Sequence, residues 1–403
     1  MKKIINVCFF ILICLSLDVF AQIPTKVLIS IVKAEDELRF DKVLEDLMKN
    51  ADAKIRARAA LAAGRIGDER AISGLTNLLE TDKAVEVRTM AAFALGEIES
   101  IKSADVILQI LKNTNNSDSL RARAVEAGGK IAAANAKVEK AKLLGEAILD
   151  VLETEDRRAA KQNREVVLLA LTAALRARPE ETDFTVAKFL TNLDARVRAD
   201  AANTLSRVRA KNANEQLRAM LLSDNDAIAR ANAARALGAA EDKDSFNILM
   251  ESAIFDDDSR VRVSAIRSLG SLKDAKAASK LLERGEKLLA DYKKSKFANP
   301  SEKSELLEIA ATLGRLLANS DNQSALKFLN EFNQLDSYQS SETEIAIALI
   351  APKSFYQTQI SKSNEVKNNW QTASIIFQAA SSVSAFYNSG QVHQCLLYPP
   401  GLT

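Results

Sequence analysis

The chain has 403 residues, of which 47% are hydrophobic, 27% charged and 5% aromatic, and its formal charge is +2. This composition excludes collagen-like, disulfide-stapled and low-complexity proteins. The near-neutral charge gives no whole-chain electrostatic reason to expect nucleic acid or a membrane surface as a partner. The single histidine, His393, leaves little raw material for imidazole catalysis or for a histidine-rich metal site.

Residues 1–21 have the pattern of a cleaved secretory signal peptide. A short basic start precedes an apolar run that lasts until Asp18, and small residues then suit a cleavage site before Gln22. The run is shorter than the roughly 20 residues of a membrane span. We therefore expect an exported protein of the periplasm or cell envelope, without a membrane span after cleavage. The alternatives are an uncleaved anchor, or a lipoprotein attached through Cys8 or Cys14.

A helical unit of about 32 residues repeats after the leader. Each copy has two amphipathic stretches, with Asp, Asn or Ser placed to cap the second one. A helix pair of this length cannot bury its apolar side alone, so neighbouring pairs must stack. One arginine recurs near the start of the second helix, at Arg56, Arg88, Arg121, Arg164, Arg198, Arg230 and Arg262. The long step between the third and fourth copies predicts an insertion within residues 132–161.

The repeated pattern Asp-x-x-Val/Ile-Arg-x-x-Ala-Ala-x-Ala-Leu-Gly, followed by a Gly-Asp-Glu or Glu-Asp-Lys turn, resembles the short bacterial HEAT repeat first described in phycobilisome lyases. The resemblance covers residues 36–317 and implies an all-α, right-handed α-solenoid of stacked antiparallel helix pairs. We assign residues 22–350 to this solenoid.

The same resemblance implies a structural ladder of hydrogen bonds between the recurring Asp and Arg side chains of adjacent units. Its predicted members are Asp52, Arg56, Arg88, Asp194, Arg198, Asp226, Arg230, Asp258 and Arg262. The copies at Arg121 and Arg164 lack an Asp four residues earlier, so stacking is expected to be less regular there. The alternative is a phosphate-binding groove like that of HEAT-like DNA glycosylases. An acidic residue one turn from most of the arginines favours the ladder.

Variable positions on one side of the second helices are the candidate binding surface. They lie two, five and nine residues after each recurring arginine and share one side of the helix. Second helices usually line the concave side of a solenoid, so a partner protein or extended peptide is expected there. These positions, called the stripe below, are Arg58, Leu61, Arg65, Met90, Phe93, Glu97, Arg123, Glu126, Lys130, Asp200, Asn203, Arg207, Asn232, Arg235, Ala239, Ser264, Arg267 and Ser271. Met90 and Phe93 resemble anchors most closely. The alternative is that the stripe is simply solvated.

No motif predicts catalysis. The sequence contains no phosphate-binding loop, no His-Glu-x-x-His, no Cys-x-x-Cys and no Gly-x-Ser-x-Gly. The run of three aspartates at 256–258 suits either a divalent cation or the N-terminus of a helix, and we favour the helix. No catalytic residue, metal ligand or cofactor is therefore assigned.

Residues 351–403 are expected to form a divergent cap or tail. Segments beginning at Glu305 and Glu344 still resemble repeat helices, but the register is lost after Pro352. A helix from Trp370 to Phe386 is a candidate end cap. Cys395 would be the only cysteine after signal cleavage, which leaves no intrachain disulfide.

We expect a non-enzymatic, exported scaffold for protein–protein interaction. Similar HEAT arrays in exported bacterial proteins precede cyclophilin-type peptidyl-prolyl isomerase barrels. The first alternative is therefore the helical accessory region of such an enzyme, lacking its barrel. The second alternative is an activity like that of the phycobilin lyases.

Overall fold

The computed structural model describes residues 23–295, 299–335 and 340–365. The predicted signal peptide and the predicted helix Trp370–Phe386 lie outside these ranges. Within them every regular element is helical, and the helices form pairs, so the prediction of an all-α solenoid of helix pairs is confirmed. None of the helices in the described ranges is long and apolar enough to cross a membrane. The chain divides into two compact units. The first ends at Glu180 and the second begins at Glu181.

The first unit contains nine described helices. They are α1 (Thr25–Asp36), α2 (Lys42–Leu47), α3 (Ala53–Ile66), α4 (Ile72–Thr81), α5 (Val85–Ile98), α6 (Ala104–Lys112), α7 (Asp118–Ala134), α8 (Glu139–Arg158) and α9 (Arg164–Ala177). The odd-numbered helices α3, α5, α7 and α9 carry the recurring arginines and pack side by side as a second row. Helices α2, α4, α6 and α8 form the first row. Apolar side chains between the two rows make up the core.

The second unit repeats this arrangement over eleven described helices. They are α10 (Thr182–Ala187), α11 (Ala195–Val208), α12 (Asn214–Ser223), α13 (Ala227–Ala239), α14 (Phe246–Phe255), α15 (Ser259–Leu272), α16 (Ala277–Lys294), α17 (Pro300–Leu316), α18 (Gln323–Leu335), α19 (Ser341–Ile350) and α20 (Pro352–Glu365). The second row consists of α11, α13, α15, α17 and α19. The first row consists of α10, α12, α14, α16 and α18.

Side-chain caps start most second-row helices where the sequence predicts them. The carboxylate of Asp52, for example, accepts a hydrogen bond of 2.8 Å from the backbone N–H of Lys54. Such a cap satisfies one of the amide groups that the first turn of a helix leaves unpaired. The capping residues are Asp52, Ser117, Asn163, Asp194, Asp226, Asp258 and Asn299.

Small residues allow the second-row helices to approach each other closely. A Cβ atom added to Gly64 would lie 2.6 Å from the Cα of Ala94, and one added to Gly96 would lie 2.6 Å from the Cα of Ala127. No methyl group fits at such a distance, so glycine is required at these two contacts. Small residues at these positions therefore permit the close stacking of the second-row helices.

Two first-row helices are much longer than their neighbours. Helix α8 has 20 residues and α16 has 18, whereas α4 has 10. The insertion predicted within residues 132–161 is thus largely an extension of a first-row helix. The longer α16 was not predicted, because the following second-row helix lacks the recurring arginine that marks the register.

Candidate interaction surface

The recurring arginines join consecutive repeats through aspartates that sequence analysis did not select. The guanidinium of Arg56 donates to both carboxylate oxygens of Asp82, over 2.7 and 2.9 Å. Arg198 binds Asp224 in the same way, and Arg230 binds Asp256. Each aspartate lies 26 residues after its arginine, in the loop before the next second-row helix. These bidentate, charge-assisted pairs connect one repeat to the next.

The predicted choice of ladder aspartates was therefore wrong. Asp52, Asp194, Asp226 and Asp258 cap their own helices. Arg56, Arg198 and Arg230 bind other carboxylates. An arginine four residues after an N-cap points across the stack, because the next repeat offers the nearest loop carboxylate. The overlooked signal is the Asp that precedes a recurring arginine by six residues, as Asp82 precedes Arg88.

Arg88 and Arg262, the remaining predicted ladder residues, each make a different contact. Arg88 donates a 2.9 Å hydrogen bond to the backbone carbonyl of Leu79. Arg262 binds Glu305 on α17, over 2.8 Å, and Glu305 also accepts from Arg284.

A buried ionic cluster replaces the regular pair at the first insertion. Arg121 and Arg158 each donate to the same oxygen of Glu155 over 2.8 Å, and the other oxygen of Glu155 accepts from the backbone N–H of Asn163. The carboxylate is completely buried. Asp118 supplies a second acidic group to Arg158 at 3.0 Å. The repeat copies that the sequence marks as irregular are thus joined by a different set of charges.

The aspartate run at 256–258 takes part in the helix and ladder contacts. Asp256 receives the guanidinium of Arg230, and Asp258 caps α15 and pairs with Arg260 at 2.7 Å. The hydrogen bond from Arg260 lowers the pKa of Asp258 to about 2. These contacts agree with the assignment of the run to a helix N-terminus.

In the first unit, the stripe is internally neutralised. Arg58 donates to both oxygens of Glu35 on α1, over 2.9 and 2.5 Å, and Arg65 approaches the same carboxylate at 3.5 Å. Burial raises the pKa of Glu35, but the hydrogen bonds and charge of Arg58 outweigh it and leave the pKa below its ordinary value. The cations at this end of the stripe therefore already have a carboxylate.

Phe93 is covered by cations from the next repeat. The ammonium of Lys130 lies 4.6 Å from the centre of its ring, and the guanidinium carbon of Arg123 lies 5.9 Å away. Both cations also bind carboxylates, since Glu126 accepts from each of them over 2.8 Å and Glu97 accepts from Lys130 over 2.5 Å. Cation–π contacts and ion pairs thus hold this group across α5 and α7. The stripe residues Met90 and Leu61 are each half-buried.

In the second unit, the stripe keeps arginines without a carboxylate. Arg207 is exposed and has no ion-pair partner among the residues that the structure describes. Arg235 donates only to neutral atoms, the Ser264 hydroxyl at 3.2 Å and the Asn232 side-chain oxygen at 3.0 Å. Partial burial, together with the nearby charge of Arg267, lowers the pKa of Arg235. The cation is therefore poorly compensated.

Other stripe positions of the second unit are occupied by internal contacts. Asp200 binds Arg196 at 2.9 Å, and Arg267 binds Glu308 on α17. Asn203 is half-buried, whereas Ser271 is exposed.

Two stripe members were wrongly predicted to face a partner. Asn232 and Ser264 are buried, because Asn232 donates to the carbonyl of Ala199 on the adjacent second-row helix and Ser264 packs beneath Arg235. Ala239 is half-buried at the end of α13.

Two segments of the chain, residues 40–129 and 214–288, match the family model for HEAT repeats. One matched segment lies in each compact unit. No curated protein matches the chain in sequence.

Solved structures of HEAT-type solenoids share the fold at low sequence identity. The Escherichia coli protein YibA is 18% identical, with a TM-score of 0.51 over 73% of this chain and 98% of its own. Kap95p, solved with RanGDP, is 12% identical, with a TM-score of 0.53 over 94% of this chain and 57% of its own. Importin beta is 16% identical, with a TM-score of 0.52 over 85% and 47%. At such identities, the likeness concerns the fold alone.

Proposed function

We propose that this protein is an exported, non-enzymatic scaffold that binds a partner protein or an extended peptide along its second-row helices. The observation that carries the proposal is the contrast along the stripe. The first unit neutralises its stripe charges internally, whereas Arg207 and Arg235 of the second unit have no carboxylate within the described ranges. A partner with acidic side chains would supply carboxylates to these two arginines. HEAT repeats in this chain and the solenoid fold support a role in protein binding.

Chemistry also supports an acidic partner rather than a neutral one. A guanidinium that is partly desolvated and close to another cation gains from a bidentate carboxylate contact. Arg235 lies in this situation, since its polar contacts are neutral and Arg267 is nearby. Arg207 on α11 and Arg235 on α13 lie on successive second-row helices, so an extended acidic chain would contact one arginine in each of these two repeats.

Site-specific photocrosslinking tests the proposal. A photoreactive amino acid would replace Arg207 or Met90 in the stripe, and the exposed Gln109 on first-row helix α6 would serve as the matched control. Crosslinking in the envelope fraction, followed by mass spectrometry, should identify one partner from the stripe positions only. The same spectra would test export, because the mature chain should begin at Gln22. Equal capture from Gln109, or no stripe-specific product, would contradict the proposal.

A charge-reversal variant tests the acidic character of the partner. R207E/R235E should lower the affinity of the captured partner at least tenfold while leaving the helical circular dichroism unchanged. The control K211E/K327E changes the net charge equally at exposed lysines outside the stripe. Equal losses from both variants would mean that only the net charge matters.

The two enzyme-related alternatives remain predictions. A tetrapyrrole-binding assay would test a lyase-like activity. A gene product that continues beyond Thr403 would test the accessory role beside a cyclophilin-type barrel.

A further inference from the structure

A groove of about 750 Å³ lies between two first-row helices of the second unit, α14 and α16. First-row helices form this groove, whereas the stripe lies on second-row helices. Residues from both helices line it, so it belongs to a single compact unit. In the first unit, by contrast, the first-row helices α6 and α8 pack directly against each other.

One wall of the groove is mainly apolar. Phe246, Met250 and Ile254 follow each other at intervals of four residues on α14, so they share one side of that helix. Phe255 extends this wall, and 76% of its surface is exposed. The apolar surface of this wall thus continues into solvent at Phe255.

The other wall is a row of basic residues along α16. Lys276, Lys280, Arg284 and Lys287 are spaced by four, four and three residues and therefore form one line along the helix. Arg284 is already paired with the buried carboxylate of Glu305. The three lysines are exposed and have no ion-pair partner in the part of the chain that the structure describes. They supply an open row of positive charge beside the apolar wall.

Two glutamates reduce the positive charge of the groove but do not neutralise it. Glu251 and Glu283 also line the groove, so the three open lysines outnumber the acidic groups by one. The lining section, from the N-cap residue Lys276 to Lys287 on α16, is about 16 Å long at 1.5 Å per residue. A helix of about three turns has the matching length.

We infer that this groove docks a short amphipathic helix of a partner protein, with an apolar face against α14 and acidic side chains toward the lysines of α16. Charge complementarity identifies the occupant. Residues 366–403 of this chain contain no Asp or Glu, and residues 1–22 contain only Asp18. Neither segment can therefore supply the acidic side chains that the lysine row calls for. This inference is independent of the stripe, because it concerns other helices and other residues.

A designed peptide tests the inference on the full-length chain. The probe is a fluorescein-labelled peptide of fourteen residues, with leucine at every third or fourth position and glutamate on both flanks. A second peptide carries lysine in place of glutamate. Fluorescence anisotropy at low salt should show at least tenfold tighter binding of the acidic peptide.

Variants locate the binding site. K280E/K287E should weaken the acidic peptide at least tenfold, and F255S should weaken it several-fold. The matched control K211E/K327E, with the same change in net charge at exposed lysines outside the groove, should change the affinity less than twofold. The stripe variant R207E/R235E should likewise have little effect. Circular dichroism verifies that each variant remains folded.

Three results would overturn the inference. Equal weakening by K280E/K287E and K211E/K327E would show binding by net charge alone. Loss of binding only in R207E/R235E would place the peptide on the stripe. A concentration-dependent dimer in light scattering that K280E/K287E abolishes would identify a second copy of this chain as the occupant.

Discussion

The two long first-row helices, α8 and α16, have opposite relations to the first-row helix before them. Helix α8 packs directly on α6, whose Val106, Leu108 and Ile110 are all buried. Helix α16 leaves a groove beside α14, and Ile254 and Phe255 on α14 remain partly or largely exposed. Both long helices occur where a repeat is extended. Helix length alone therefore does not decide whether the long helix packs on the preceding first-row helix or leaves a groove beside it.

Side-chain polarity explains the difference. Helix α6 is apolar on the side that meets α8, so close packing removes that surface from water. Helix α14 has Asn247 and Glu251 at the groove, and α16 has lysines there. Burying these charged groups without partners would cost more than the apolar contacts return. An extended repeat therefore becomes core in one unit and a surface cleft in the other.

The largest expected effect comes from breaking the ionic cluster that accompanies α8. Glu155→Ala removes the completely buried carboxylate of the cluster and leaves the buried Arg121 with only the more distant Asp118, at 3.2 Å. This change should lower the free energy of unfolding by about 3–5 kcal/mol. Urea denaturation would measure it. The control Glu146→Ala changes an exposed glutamate of the same helix and should stay within about 0.5 kcal/mol. Similar values for the two variants would mean that Glu155 does not hold the insertion.

The second prediction uses adjacent glycines of α7, the second-row helix before α8. A Cβ at Gly129 would lie 2.6 Å from the Cα of Ala173 on α9, whereas one at Gly128 would meet side chains no closer than 3.5 Å. Gly129→Ala should therefore destabilise the protein by about 2 kcal/mol. Gly128→Ala should be neutral or stabilise it by up to about 1 kcal/mol. Thermal denaturation of both variants provides the measurement, and an equal effect would contradict the close approach.

The third prediction measures a regular ladder pair as the reference for the irregular ones. Asp82→Asn keeps the turn but removes the charge that pairs with Arg56, which should cost about 1.5 kcal/mol at neutral pH. Asp52→Asn alters a helix cap at which Asn serves equally well, and should have little effect. Chemical denaturation of both variants compares the two sites.

The pH dependence of the same pair has a defined direction. Hydrogen bonds from Arg56 lower the pKa of Asp82 in the folded state. The stabilisation is therefore fully present above the unfolded-state pKa of about 3.9 and disappears as the pH falls through the folded-state pKa. The stability difference between the wild type and Asp82→Asn should shrink only below about pH 4. A constant difference down to the lowest pH would contradict the ion pair.

The smallest expected effect concerns the open groove. Phe255→Ser removes a side chain that is 76% exposed, so the free energy of unfolding should change by less than about 0.5 kcal/mol. A loss comparable to that of a core residue would show that Phe255 packs within the fold, and the groove would then be part of the core.

Local sequence patterns determined much of this protein. The recurring arginines, the amphipathic stretches and the capping Asp, Ser and Asn residues predicted stacked helix pairs, because their periodicity follows from helix geometry. The long step between Arg121 and Arg164 also predicted the insertion. These features are local: each depends on residues within one or two turns of a helix.

Tertiary stacking decided the rest. It gave Arg56 a carboxylate 26 residues away rather than the one four residues before it, and it buried Asn232 although the helical register places it in the stripe. It also left Arg235 without a carboxylate and opened a groove beside α16. Such contacts depend on which loops and side chains neighbouring repeats bring together, so the pattern of a single repeat cannot specify them.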